Sequence, residues 1–156
     1  MAIPTHAIIA YGTETGNAEL AAVEIEAALS NMIQSEFVSL TELELEQFHE
    51  DTLLVVCCST YGDGEYSDGA DVFAEALNTT RPDFSKFNYA IFGLGDTTYE
   101  TFNFASIKLS KLLQELGATR IGEHGMHDAS SADYVDSAAQ AWAAELTPFV
   151  RELIDA

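Results

Sequence analysis

The 156-residue chain is long enough to bury one α/β core and carries six Lys and Arg against 26 Asp and Glu, a formal charge of −20. That balance excludes nucleic acid and anionic membrane as partners, and the lack of any apolar run of 18 residues excludes a membrane span. The two cysteines, Cys57 and Cys58, are adjacent and cannot found a disulfide framework. With no basic, then apolar, leader at the N-terminus, a cytoplasmic protein is expected.

In chain order, His6–Tyr11 reads as a buried strand and Ala18–Asn31 as an Ala-rich helix. Glu36–Leu40 is a weaker strand, and Thr41–Glu50 is predicted as a short acidic helix with a solvated face. Thr52–Cys58 is a continuous apolar run, the pattern of a strand covered on both faces. Gly69–Asn78 reads as a helix, Tyr89–Phe92 as a strand and Thr101–Leu116 as a helix closed by Gly117. Ala118–Met126 is a fifth strand and Ala132–Leu153 a last helix. This alternation predicts one α/β domain over residues 1–156, a five-stranded parallel sheet with helices on both faces.

Ligands of such sheets bind beyond the carboxyl ends of the strands. After the first strand, Gly12-Thr13-Glu14-Thr15-Gly16-Asn17 offers hydroxyls and backbone N–H groups at a helix start, an arrangement for phosphate. It has neither the lysine of a nucleotide P-loop nor a GxGxxG spacing. After the third strand, Ser59-Thr60-Tyr61-Gly62-Asp63-Gly64-Glu65 sets an aromatic among small residues. After the fourth, Gly93-Leu94-Gly95-Asp96-Thr97-Thr98-Tyr99-Glu100-Thr101-Phe102-Asn103 sets another. Two tyrosines on neighbouring loops form a slot for a planar ring. Asp128, after the fifth strand, is placed to close the side of the slot.

The segments TETGNAE, STYGDGE and GLGDTTYETFN, in that order, resemble the three cofactor loops of the flavodoxin-like FMN-binding family. The chain is similar to short-chain and MioC-like flavodoxins and to the FMN domains of sulfite reductase and cytochrome P450 reductase. The resemblance implies a flavodoxin-like three-layer sandwich with strand order 2-1-3-4-5 and FMN as cofactor. It assigns Thr13, Glu14, Thr15, Gly16, Asn17 and Ala18 to the phosphate, and Thr60, Tyr61, Gly62, Asp63 and Gly64 to the ring and its N5 edge. It assigns Leu94, Gly95, Asp96, Tyr99, Phe102 and Asn103 to the opposite face and the ribityl chain, with Asp128 beside it. Tyr66 and Ser67 stand where the family often has proline, which bears on the rigidity of that loop.

The implied role is a monomeric, low-potential carrier of single electrons between a flavin-dependent reductase and an acceptor protein. The acidic surface suits a basic-surfaced redox partner. A rival is an FMN-dependent quinone or small-molecule reductase, which needs a substrate pocket over the ring. Another is the FMN module of a larger two-flavin reductase. A phosphoryl-receiver domain shares the topology but needs acidic residues after the first and third strands, where this chain has Gly12-Thr13 and Ser59-Thr60. His124 and His127 are expected to be solvated and not metal ligands, and Cys57 and Cys58 to be small buried hydrophobes.

Overall fold

The computed structural model describes residues 3–12, 16–61 (of Tyr61, the backbone) and 64–156. The chain alternates strand and helix. β1 is His6–Gly12, α1 Asn17–Leu29, β2 Gln34–Ser39, β3 Thr52–Tyr61, β4 Glu65–Tyr66 and α2 Ala70–Thr80. β5 is Asn88–Gly95, α3 Phe104–Glu115, β6 Thr119–Arg120, β7 Gly125–Asp128 and α4 Val135–Ile154. The sheet order is β2-β1-β3-β5-β6, with β7 also beside β5 and β4 folded back on β3. The expected order therefore holds, and among the described residues the strand count rises to seven for two local reasons.

The first is a hairpin, in which Tyr66 pairs antiparallel with Thr60. The second is a break in the expected strand Ala118–Met126. Asn88 pairs with Thr119 and Phe92 with Gly125, so four steps along β5 match six along its neighbour. The surplus bulges out at residues 121–124, where Gly122 takes a left-handed φ of 69°.

Side chains of the central strands alternate between two cores, as a period of two requires. Ala7, Ile9, Leu53, Val55, Cys57 and Phe92 face α1 and α4, while Ala10, Leu54, Val56, Cys58 and Ile91 face α2 and α3. The adjacent cysteines thus enter opposite cores as buried free thiols. Burial raises both, Cys58 to about 12.

Thr41–Glu50 is not a helix. Only Leu45–Gln47 makes a single 3-10 turn. The stretch TELELE alternates with period two, so a helix would scatter its leucines around the axis. Instead Leu43, Leu45 and Phe48 pack onto the α2–α3 core while the glutamates stay exposed. Among the described residues no helix is long and apolar enough to cross a membrane.

Candidate functional site

Parallel pairing brings the carboxyl ends of the strands level. Gly12 lies opposite Cys58, Cys58 opposite Gly93, and Gly95 opposite Asp128. The loops that leave these ends are therefore neighbours, and glycines let them touch. A Cβ on Gly12 would come within 3.0 Å of Ala70 Cβ at the start of α2. A Cβ on Gly64, whose φ is 90°, would come within 3.0 Å of Phe104 Cβ and 3.1 Å of Thr101 Cβ. The second loop thus rests on the third. Gly16, with φ 91°, faces open space at the start of α1.

Of the residues read as a phosphate cradle, Thr13, Glu14 and Thr15 lie outside the described residues, as do Gly62, Asp63 and the Tyr61 side chain in the second loop. Asn17 is exposed in the first turn of α1 and Ala18 is buried beneath it. Thr60 accepts the Ala105 N–H through its hydroxyl at 3.2 Å, so β3 caps the start of α3. Leu94 points into the α1–α4 core, so only its backbone reaches the loop. The Asp96 carboxylate closes a turn by accepting from the Thr98 amide (2.9 Å) and hydroxyl (2.7 Å). Tyr99 is exposed, and Phe102 is partly covered against Gly95.

Asn103 is the residue most fully enclosed. It takes a left-handed φ of 57° as N-cap of α3 and is wholly buried, yet its Nδ2 has no hydrogen-bond partner. Thr101 Oγ1 and Ser67 Oγ are buried and unpartnered as well. Three such atoms among the described residues of these loops are unusual, because a buried polar group without a partner costs about 1–3 kcal/mol. All three can donate, and they lie beside the slot that the motifs assign to FMN. Unsatisfied donors and open space at Gly16 fit a flat ligand rich in acceptors.

Several supporting contacts were not legible in the motifs. Asp128 does not stand free beside the slot. It accepts from the Thr97 amide (3.0 Å) and hydroxyl (2.6 Å) and from the Ser130 amide (2.9 Å) and hydroxyl (2.8 Å). These bonds, Thr97 first, hold its carboxyl well below the usual carboxylate range. Tyr66 fills the place of a proline by a different device, setting its ring under Lys108 Nζ at 4.5 Å.

The two histidines are not solvated, contrary to expectation. His127 points inward from β7, with its Nε2 2.9 Å from the Asp133 carbonyl. His124, turned by the bulge toward α3, sets its Nε2 2.9 Å from Ser106 Oγ, and burial pulls its pKa down to about 4, with the Arg120 charge adding to the shift. Their separate partners leave no shared position for a metal.

Of the cations, Lys108 stands over Tyr66 beside the second loop, and others lie farther from the strand ends. Lys86 pairs with Glu50 at 3.0 Å before β5, and Arg81 lies 3.9 Å from Glu115 where α2 and α3 end. Arg120 sits in β6, beside the start of β5. The loop end carries Glu65, Asp68, Asp71, Asp96 and Glu100. The loop end is therefore predominantly acidic, with Lys108 at its side.

The flavodoxin family profile matches residues 9–142. The NADPH–cytochrome P450 reductase of Musca domestica is 37% identical over 127 residues, which cover 78% of this chain and 19% of the reductase. NADPH-dependent diflavin oxidoreductase 1 of Yarrowia lipolytica is 36% identical over 141 residues, 87% of this chain and 20% of that protein. The chain spans about a fifth of the length of these curated relatives. A single-site variant of flavodoxin from Pseudomonas aeruginosa, 24% identical, has the same fold, with a TM-score of 0.83 over 94% of this chain and 99% of its own. A family profile that runs from the first strand to the last helix makes this chain a member of the flavodoxin family, whose cofactor is FMN.

Proposed function

We propose that the chain is a low-potential electron carrier acting in the cytoplasm, holding one FMN at the carboxyl edge of its sheet and serving a reductase and an acceptor protein in turn. FMN, when bound, supplies the one-electron chemistry; the chain holds it, shields it and presents its edge. The observation that carries this reading is the meeting of the loops around buried, unpartnered donors beneath a rim of carboxylates. Asn103 Nδ2 and Thr101 Oγ1 would donate to the ligand, and the start of α1 would receive its phosphate. No Lys or Arg occurs in residues 12–18, 59–69 or 93–103, and Lys108, over Tyr66, is a single cation against Glu65, Asp68, Asp71, Asp96 and Glu100, so negative charge gained on reduction is little offset. That favours a low potential for the second electron. The rim of Glu65, Asp68, Asp96 and Glu100 would meet a partner with a basic surface.

A second reading is favoured by the curated relatives, both of which are far longer NADPH-dependent reductases. In it the same domain is the FMN module of a two-flavin enzyme, and the donor is an FAD-bearing module. Both readings give the loops one task and differ in how the donor is tethered.

The test is reconstitution with FMN followed by stopped-flow reduction. Flavin absorbance at one equivalent, no oxidation of NADPH alone, and fast reduction once a flavin-dependent reductase is added are expected. NADPH turnover without a reductase would make the protein an enzyme in its own right. Failure to retain any flavin would overturn both readings.

A further inference from the structure

Asn103, Ser106 and His124 form a line across β5, from the ligand slot to the broken fifth strand. Glycine at position 93 makes the line possible, since any Cβ there would overlap Asn103 Oδ1 and Ser106 Oγ. Ser106 is fully buried, and its hydroxyl lies 3.0 Å from the Asn103 carbonyl, 3.4 Å from Asn103 Oδ1 and 2.9 Å from His124 Nε2. A serine hydroxyl has one hydrogen to give. Both Asn103 oxygens can only accept. If His124 Nε2 also accepted, the hydroxyl could donate across only one of these contacts and would face the other acceptor with no hydrogen between them. Both short contacts are satisfied only when His124 Nε2–H donates to Ser106 Oγ and Ser106 donates to Asn103.

The bulge at residues 121–124 is what brings His124 to this line, and it is anchored from the other side. Trp142 Nε1 donates to the Glu123 carbonyl at 3.0 Å. At the far end, the Asn103 backbone is held left-handed, its carbonyl also accepting the Ile107 N–H at 3.1 Å. Its amide group is left with Nδ2 buried, unpartnered and beside Gly95, where a Cβ would come within 3.2 Å of it. Among the side-chain polar atoms of Asn103 and Ser106, Nδ2 alone is buried without a partner, which makes it the donor left for a ligand.

We propose that His124 is a positioning residue for FMN binding: through Ser106 it fixes Asn103 so that the free Nδ2 donates to the bound flavin nucleotide. This rests on the FMN reading above and adds to it a residue outside the three loops. Burial keeps the imidazole neutral at pH 7, so the proposal requires one tautomer, with hydrogen on Nε2 and not on Nδ1. A glutamine at 124 can set an N–H at nearly the same place, whereas a leucine fills the space without a donor.

The experiment measures FMN dissociation constants by flavin fluorescence for the parent, His124→Leu, His124→Gln, Asn103→Gly and the double variant Asn103→Gly/His124→Leu. Glycine at 103 keeps the left-handed turn while removing the donor. His124→Leu is expected to weaken FMN about tenfold, the scale of one hydrogen bond. His124→Gln should stay within about threefold of the parent. In the Asn103→Gly background the leucine should cost nothing further. Nitrogen-15 shifts of the parent imidazole at pH 7 should show hydrogen on Nε2, a readout that stands even where a variant does not fold. Parent-like affinity in His124→Leu, no rescue by Gln, additive losses in the double variant, or hydrogen on Nδ1 would each overturn the proposal while leaving the FMN reading intact. A parent that retains no FMN would overturn both.

Discussion

Thr97 donates two hydrogen bonds to Asp128, from its amide at 3.0 Å and its hydroxyl at 2.6 Å. Ser130 adds two more on the same carboxylate. The loop leaving β5 is thereby fastened to the loop leaving β7, across 31 residues of sequence. Because these bonds hold the folded carboxyl below its ordinary range, their contribution to stability is present above about pH 4 and is lost as pH falls through the lower folded value. Asp128→Asn should therefore lower the urea midpoint at pH 7, and the gap to the parent should close below about pH 4. A gap that does not change with pH would mean the charge on Asp128 contributes nothing.

Gly93→Ala should be among the most damaging single changes away from the slot itself. The new methyl would overlap Asn103 Oδ1 and Ser106 Oγ and would lie 2.8 Å from Ser106 Cβ, with backbone fixed on both sides. A loss of about 1–3 kcal/mol is expected from overpacking of this kind. Chemical unfolding measures it directly; Gly16→Ala, which meets open space, provides the contrast, since its cost is conformational alone.

The first loop should select FMN over FAD. A terminal phosphate held by this loop would leave no room for an adenylate beyond it. Thr15, which lies outside the described residues, is the hydroxyl to test. Thr15→Val should weaken FMN by about 1.5–3 kcal/mol, the worth of a hydrogen bond to a charged group. Riboflavin, which has no phosphate, should be little affected. Equal affinities of the parent for FMN and FAD would count against the assignment.

The carboxylate rim should govern encounter more than cofactor affinity. Replacing Glu65 with Gln and Asp68 with Asn should slow association with a basic-surfaced reductase and flatten its dependence on ionic strength. The FMN dissociation constant should scarcely move. Stopped-flow reduction across a salt series measures both effects. A parent rate that ignores salt would assign the acidity to solubility.

The strands and helices were legible because central strands such as Thr52–Tyr61 are apolar on both faces and the helices carry a 3.6-residue period. The paired cysteines could be read for the same reason, since alternation along β3 sends them to opposite cores. The break in the fifth strand was signalled only by Gly122 and Gly125 inside an otherwise strand-like run. The acidity of Thr41–Glu50 suggests a solvated helix, whereas its period-two spacing is what sets Leu43 and Leu45 against the core. In the site, residues contiguous with a strand end could be found from sequence. Those fixed by contacts between distant segments could not. Thr97 with Asp128, Ser106 with His124, and Tyr66 with Lys108 join pieces that only folding brings together, and a histidine on the edge of an apolar strand reads as solvated until its partner is seen.

The chain has one tryptophan. Trp142 is buried, its ring centroid 5.4 Å from that of Phe92, with its indole N–H bound to the carbonyl of the bulge. The single indole of the chain thus sits at the seam between α4 and the broken fifth strand. Its emission wavelength follows the integrity of that seam without any label, and its overlap with flavin absorption makes the same light a gauge of cofactor loading.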